Sequence, residues 1–139
     1  MPDNKLNILV IDGQGGRIGA RLIEILHAEA DNICITAVGT NVLATQAMMK
    51  AGADSAATGE NPVAVAARSA DIIAGPIGIV IADSLGGEVT AKMALSVARS
   101  RAKRVLMPLN RCDNMVAGVA DTSIAALTRA AADIILNIL

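Results

Sequence analysis

Ile11-Asp12-Gly13-Gln14-Gly15-Gly16-Arg17-Ile18-Gly19 joins a short apolar run, residues 6–11, to a stretch in which Ile18, Leu22, Ile25 and Leu26 recur at helical spacing. A strand, a glycine turn and a helix in that order open the dinucleotide-binding folds, because the first amides of a helix have no partner inside it and face an anion well. In this turn Gly13 supplies the backbone freedom of a tight turn, Gly15 or Gly16 lets main-chain amides approach a pyrophosphate, and Gly19 lets the helix pack close to the sheet. The expected site is residues 13–19 as a unit, with Gln14, Arg17 and Ile18 in the same loop. On this reading Gly16→Asp is predicted to remove binding while leaving the fold largely soluble.

Downstream, residues 33–38 read as a second strand running into Gly39-Thr40-Asn41, and Asn41 is placed to cap a helix from Val42 to a stop at Gly52. NAD-binding folds carry an acid about 20 positions beyond the glycines to hold a ribose hydroxyl, and NADP binders often place an Arg nearby. Here the strand ends with neither. Thr40 and Asn41 remain as groups for a ribose or a 2′-phosphate, with turn and cap roles equally open to them.

The rest of the chain continues the alternation. A third strand is expected around 54–57. Asn61 is expected to cap a helix with Pro62 at its first position, running to about Ser69, and a fourth strand, 71–74, to enter Gly75-Pro76-Ile77-Gly78. The apolar run 79–82 fits a strand or a buried helix equally. Thr90 is placed to cap a helix to about Ser100. The cluster Arg99, Arg101, Lys103 and Arg104 at its end suits the negative pole of the helix dipole. A strand at 105–109 leads into Asn110-Arg111-Cys112-Asp113-Asn114. Thr122 or Ser123 then caps a last helix with Ile124, Leu127, Ala131, Ile134, Ile135 and Ile138 on one stripe and Leu136 and Leu139 off it. Strands alternating with helices predict a single α/β domain of Rossmann type, residues 1–139, with a mostly parallel sheet between two helical layers.

Ligands of such sheets bind beyond the carboxyl ends of the strands, where the strand order reverses. Those ends carry Asp12, Thr40, Asn41, Gly75, Pro76, Gly78, Asn110 and Arg111. Arg111 suits a bidentate phosphate contact or a surface salt bridge equally well. Cys112 has no histidine near it in sequence to activate it, and no catalytic residue is assigned. Asp83, Ser84 and Glu88 flank Gly86-Gly87 and have the chemistry for Mg²⁺, but a solvated turn is the preferred reading. His27 is expected at the surface and Cys34 in the core.

Composition narrows the functions. With no Phe, Tyr or Trp among 139 residues, stacking of bases on aromatic platforms is excluded. A formal charge of −1 gives no basic field for a nucleic-acid backbone. Two cysteines without metal-ligand spacing predict neither structural zinc nor a disulfide framework. No segment has the ~20 uninterrupted apolar residues of a membrane span, and residues 1–7 do not read as a signal peptide, so a cytoplasmic protein is expected. An apolar fraction of 53% and a mean hydropathy of +0.52 predict a homo-oligomer.

The spacing Gly13-x-x-Gly16-x-x-Gly19 is similar to the turn of extended short-chain dehydrogenases, and Gly16-Arg17-Ile18-Gly19 to that of dihydrodipicolinate reductases. Both resemblances cover only the turn, and the catalytic Tyr of the first family has no counterpart here. VIDGQGGRIG, AVGTN, KAGAD, ATGEN, DIIAGPIGIVIADSLGGEVT and MPLNRCDN together resemble a family of short bacterial proteins catalogued as a domain of unknown function. That resemblance implies one site formed by the glycine turn, Gly75-Pro76-Ile77-Gly78 and Asn110-Arg111-Cys112.

The leading functional expectation is a nucleotide- or phosphate-ligand-binding module, a sensor or regulatory subunit, with NAD(P) or another nucleotide as ligand. The alternatives are a small NAD(P)-dependent oxidoreductase completed by a subunit interface, and an interaction protein without ligand that works through its last helix.

Overall fold

The computed structural model describes residues 5–109, 114–120 and 122–139. The strands are β1 (Leu6–Asp12), β2 (Ile33–Gly39), β3 (Ser55–Thr58), β4 (Ile72–Pro76) and β5 (Lys103–Met107). The α-helices are α1 (Arg17–Glu29), α2 (Val42–Lys50), α3 (Glu60–Ala67), α4 (Ala91–Arg99) and α5 (Ile124–Ile138). Every pairing is parallel and the order is β3-β2-β1-β4-β5. Right-handed crossovers dictate which face each helix covers. The chain winds from β1 to β3 in one direction with α1 and α2 on one face. It then returns past β1 to β4 and β5 with α3 and α4 on the other. The fold is thus a three-layer α/β domain, and the reversal between β1 and β4 opens a crevice at their carboxyl ends.

The side-chain period of two splits β1 between two cores. Ile8 and Val10 pack with Leu22, Leu26, Met48 and Ile135, and Leu9 and Ile11 with Val63, Ile73, Met93 and Val97. Burial on both faces explains the unbroken apolar run that marked this strand in the sequence.

Several local expectations need correction. Asn61 lies within α3, whose cap is Gly59 at φ 109°, so Pro62 is the third helical residue and not the first. The ambiguous run 79–82 is neither strand nor α-helix: a 3₁₀ turn, Ile77–Val80, precedes a non-helical Ile81. β4 extends through Gly75 and Pro76, which pair with Leu106 and Met107. A Cβ on Gly75 would run into the Ile11 carbonyl oxygen, so only glycine lets the neighbouring strand pass there. β5 lies two residues earlier than expected.

In α5 the buried stripe is Leu127, Thr128, Ala131, Ala132 and Ile135, while Ile134 is 52% exposed. Ile134 sits 100° from Ile135 on the helix, and Thr128 takes its place inward by donating its hydroxyl to the Ile124 carbonyl at 2.6 Å. Cys34 is half-buried and not a core residue. Asn41, Thr90 and Ser123 cap α2, α4 and α5 as read from sequence. Among the described residues no helix is long and apolar enough to cross a membrane.

Candidate functional site

The last residue of β1 organises the turn that follows it. Asp12 is 5% exposed, and its Oδ1 accepts from the Gly13 amide and its Oδ2 from the Gly19 amide, both at 2.8 Å. Burial pushes its carboxyl up from the usual value; the amides of Gly19, Gly13 and Ile18 oppose this, and the nearby charge of Glu88 adds to it. The turn closes through Gly16 N–H to the Gly13 carbonyl at 2.9 Å, with φ of 50° at Gln14 and 71° at Gly16. The helix start therefore already holds an anion of its own, Asp12. Sequence reasoning had left all the amides of residues 13–19 to a ligand. In the structure those of Gly13 and Gly19 serve Asp12 and that of Gln14 serves Glu88. The amides of Gly15 and Arg17 have no partner among the described residues.

The glycines divide their duties differently from the sequence expectation. Gly13 has no positive φ; it is required because a Cβ there would lie 2.5 Å from Thr40 Oγ1 and 2.7 Å from Glu88 Oε1. At Gly16 a Cβ would lie 2.7 Å from the Ala44 Cα, so this glycine lets the start of α1 abut α2. Gly19 lets α1 sit against Met48 and Asp12, the close packing expected of it. Gly15 alone faces open space, its nearest neighbour being Arg17 Cγ at 3.8 Å. Gly16→Asp is thus a folding variant, contrary to the sequence-based expectation, and Gly15 is the position that tests binding.

Glu88, read from sequence as part of a solvated turn, is the carboxylate that ties the glycine turn to the end of β2. Its Oε1 accepts from the Gln14 amide at 2.8 Å, Thr40 Oγ1 at 2.5 Å and Asn41 Nδ2 at 2.9 Å. Asn41 Nδ2 also donates to the Gln14 carbonyl at 2.9 Å, while its Oδ1 caps α2. Burial alone would raise the Glu88 carboxyl, but the bonds from Gln14, Thr40 and Asn41 outweigh it and hold the group below its usual value. The segment carrying Glu88 is tightly coiled, with positive φ at Asp83, Leu85, Gly86 and Gly87. Ser84 Oγ anchors it by donating to the Gly78 carbonyl. The available signal was the missing acid at the end of β2: Thr40 and Asn41 present two donors there, and a carboxylate from another loop meets them.

On the other side of the turn lies a cavity of about 360 Å³. Residues 12–18 form one wall, Pro76, Ile77 and Gly78 with Ile81, Leu85 and Gly86 a second, and Leu109, Asn114 and Ile124 a third. The structure thus brings Gly13, Gln14, Gly15, Gly16, Arg17, Ile18, Pro76 and Gly78 together as read from sequence. Gly19 and Gly75 lie behind the wall in packing roles, and Thr40 and Asn41 are turned to Glu88. Asn110 and Arg111, with Cys112 beside them, fall outside the described residues. Ile81, Leu85, Leu109, Asn114 and Ile124 were missed, since only the topology gathers them. Arg17 is exposed at the rim and makes no ion pair among the described residues. No group of three or more His, Cys, Asp or Glu side chains suited to a metal ion occurs among the described residues.

A family model described as "Domain of unknown function (DUF3842)" matches residues 7–139. The chain belongs to that family. The resemblance carried by VIDGQGGRIG, DIIAGPIGIVIADSLGGEVT and the other quoted stretches thus holds over nearly the whole chain. No curated protein matches it. Among solved structures, a dodecameric FMN-dependent UbiX-like decarboxylase from Escherichia coli O157:H7 is similar at 19% identity and a TM-score of 0.46, over 91% of this chain and 74% of that one. The site described above stands on this chain's own geometry.

Proposed function

We propose that this chain is a binding module for a small phosphate-bearing ligand, a nucleotide, held where the glycine turn meets the β1–β4 crevice. One observation carries the reading. A cavity of about 360 Å³ at the point where strand order reverses is walled by a helix start whose Gly15 and Arg17 amides have no partner among the described residues, and is lined by Arg17, whose guanidinium makes no ion pair among them. Amides at a helix N-terminus and an Arg fork are the groups that recognise phosphate. The cavity falls in the ~300–1,000 Å³ range of small-molecule sites.

The two carboxylates nearby do not oppose this strongly. Oε1 of Glu88 is committed to three donors, and the two oxygens of Asp12 are committed to the amides of Gly13 and Gly19. In a chain without aromatic residues, Ile81, Leu109 and Ile124 supply the apolar walls for a base. The role that fits is a sensor or regulatory subunit acting in the cytoplasm as an assembly of its own copies. The apolar content supports the assembly, and analytical ultracentrifugation reads it directly.

The test is calorimetric titration with AMP, ATP, GTP, NAD⁺, NADPH and FMN, paired with native mass spectrometry of freshly purified protein. Gly15→Asp puts negative charge before the two open amides at a position where a Cβ meets nothing closer than 3.8 Å. Saturable binding to the native chain, about tenfold or more weaker in Gly15→Asp at an unchanged melting temperature, is the expected result. Silence across the panel with no co-purified ligand overturns the proposal.

A further inference from the structure

We infer that the pocket takes a mononucleotide and refuses a dinucleotide, and that Glu88 is the residue that sets this choice; the inference rests on the binding reading above. A dinucleotide on this fold straddles the switch point. Its pyrophosphate lies on the glycine turn, one nucleoside reaches over the end of β2, and the other lies beyond β4. The first of these two places is closed here. Thr40 and Asn41, the residues at the end of β2, both donate to Glu88 Oε1, and the Gln14 amide donates to the same oxygen. These bonds join positions 74, 48 and 47 residues apart, so they draw the 83–89 segment down onto the turn. Leu85 Cδ1 and Glu88 Oε1 would lie 2.9 and 2.7 Å from a Cβ at Gly13, so the contact leaves no room over that residue.

Among the described residues the second place is open. The cavity runs from the turn past Pro76 and Ile81 toward Leu109 and Ile124, away from β2. One phosphate on the amides of Gly15 and Arg17 therefore leaves space for one nucleoside, on the β4–α5 side. Glu88 occupies the place where an acid on β2 would hold the ribose of a dinucleotide. Three donors on its Oε1 make it a latch, and the 83–89 segment it draws onto the turn fills the place over Gly13. Glu88 acts through the segment it holds, as a positioning residue that determines specificity.

The experiment titrates the native chain, Glu88→Ala and Glu88→Gln with AMP, GMP and UMP, and with NAD⁺ and NADP⁺. Glu88→Gln keeps an acceptor oxygen for the same donors and serves as the rescue; circular dichroism confirms that each variant is folded. The expected result is a native chain that binds its preferred mononucleotide at least about tenfold tighter than either dinucleotide. Glu88→Ala should narrow that ratio severalfold, and Glu88→Gln should restore it. Dinucleotide binding equal to or tighter than mononucleotide binding in the native chain overturns the inference while leaving the binding reading intact. So does a ratio that Glu88→Ala leaves unmoved. Silence of the native chain toward both sets fails the binding reading itself.

Discussion

The two sides of the glycine turn hold equivalent places in the sheet and end in opposite states. Toward β2 the turn meets Thr40, Asn41 and Glu88, each polar, each hydrogen-bonded to the others or to Gln14. Toward β4 it meets Pro76, Gly78, Ile81 and Ile124 across a cavity. Both sides lie at the carboxyl ends of parallel strands, where ligands of such sheets bind. On the polar side a carboxylate delivered from residue 88 supplies the acceptor that the β2 donors lack and closes the space, while the apolar side has no such group among the described residues. Position at the mouth of an α/β sheet therefore does not by itself make a residue a ligand contact; what its donors are already bonded to decides.

The sharpest way to break the comparison is at the glycines, because the closed side is packed to backbone contact and the open side is not. Gly16→Ala brings a Cβ to 2.7 Å from Ala44 Cα at φ 71°. A left-handed non-glycine residue costs roughly 1–2 kcal/mol and overpacking about 1–3 more. A total near 3 kcal/mol should lower the melting temperature by roughly 10 °C for a chain of this size. Gly15→Ala, one residue away, should move stability by less than about 0.5 kcal/mol. Melting curves followed by circular dichroism at 222 nm read both, and equal effects would mean that the turn does not abut α2 as described.

Asp12 ties the two sides together, and its removal is next in size. In Asp12→Asn one oxygen still accepts from an amide, but the side-chain NH₂ must face the N–H of Gly13 or Gly19, which then has no acceptor in a buried place. Leaving such a donor unsatisfied costs about 1–3 kcal/mol. Urea denaturation of Asp12→Asn should show a loss near 2 kcal/mol with an unchanged slope; a neutral or stabilising effect would contradict the assigned bonds.

How far the sequence carried this reading follows from the range of each signal. β1, α1, β2 and α2 were legible because periodicity, Gly13 to Gly19 and the Asn41 cap all act within a few residues. The start of α3 misled because Asn61-Pro62 is a strong local cap signal, yet Gly59, which reaches φ 109°, opens the helix two residues sooner. Residues 79–82 were illegible because an apolar run names burial and not conformation. Half of the site was legible in the turn itself. The Glu88 latch was not, because its partners lie 47 to 74 residues away and no local pattern joins them.

The smallest effect is also the one that isolates the latch, because its sign depends on pH. Glu88 is held below its ordinary value of 4.5 by its three donors, so its contribution to stability is full above that value and is lost as pH falls through the lower folded value. Asp12 is shifted the other way, above its ordinary 3.8, so the folded state takes up its proton first and acidification through that window favours folding. In the native chain the two oppose each other. Glu88→Gln removes the first contribution together with the repulsion that Glu88 exerts on Asp12, and leaves the rest of the second. At pH 7 the native chain should exceed Glu88→Gln by about 1 kcal/mol, the difference between charged and neutral acceptors. That margin should begin to shrink as pH falls below 4.5 and should approach zero only below the lower folded value, where Glu88 is neutral in both states. Denaturation midpoints at pH 7, then in steps from 4.5 downward, measure it. A margin that stays constant would mean that Glu88 carries no charge in the latch, and one that widens on acidification would reverse its assigned role.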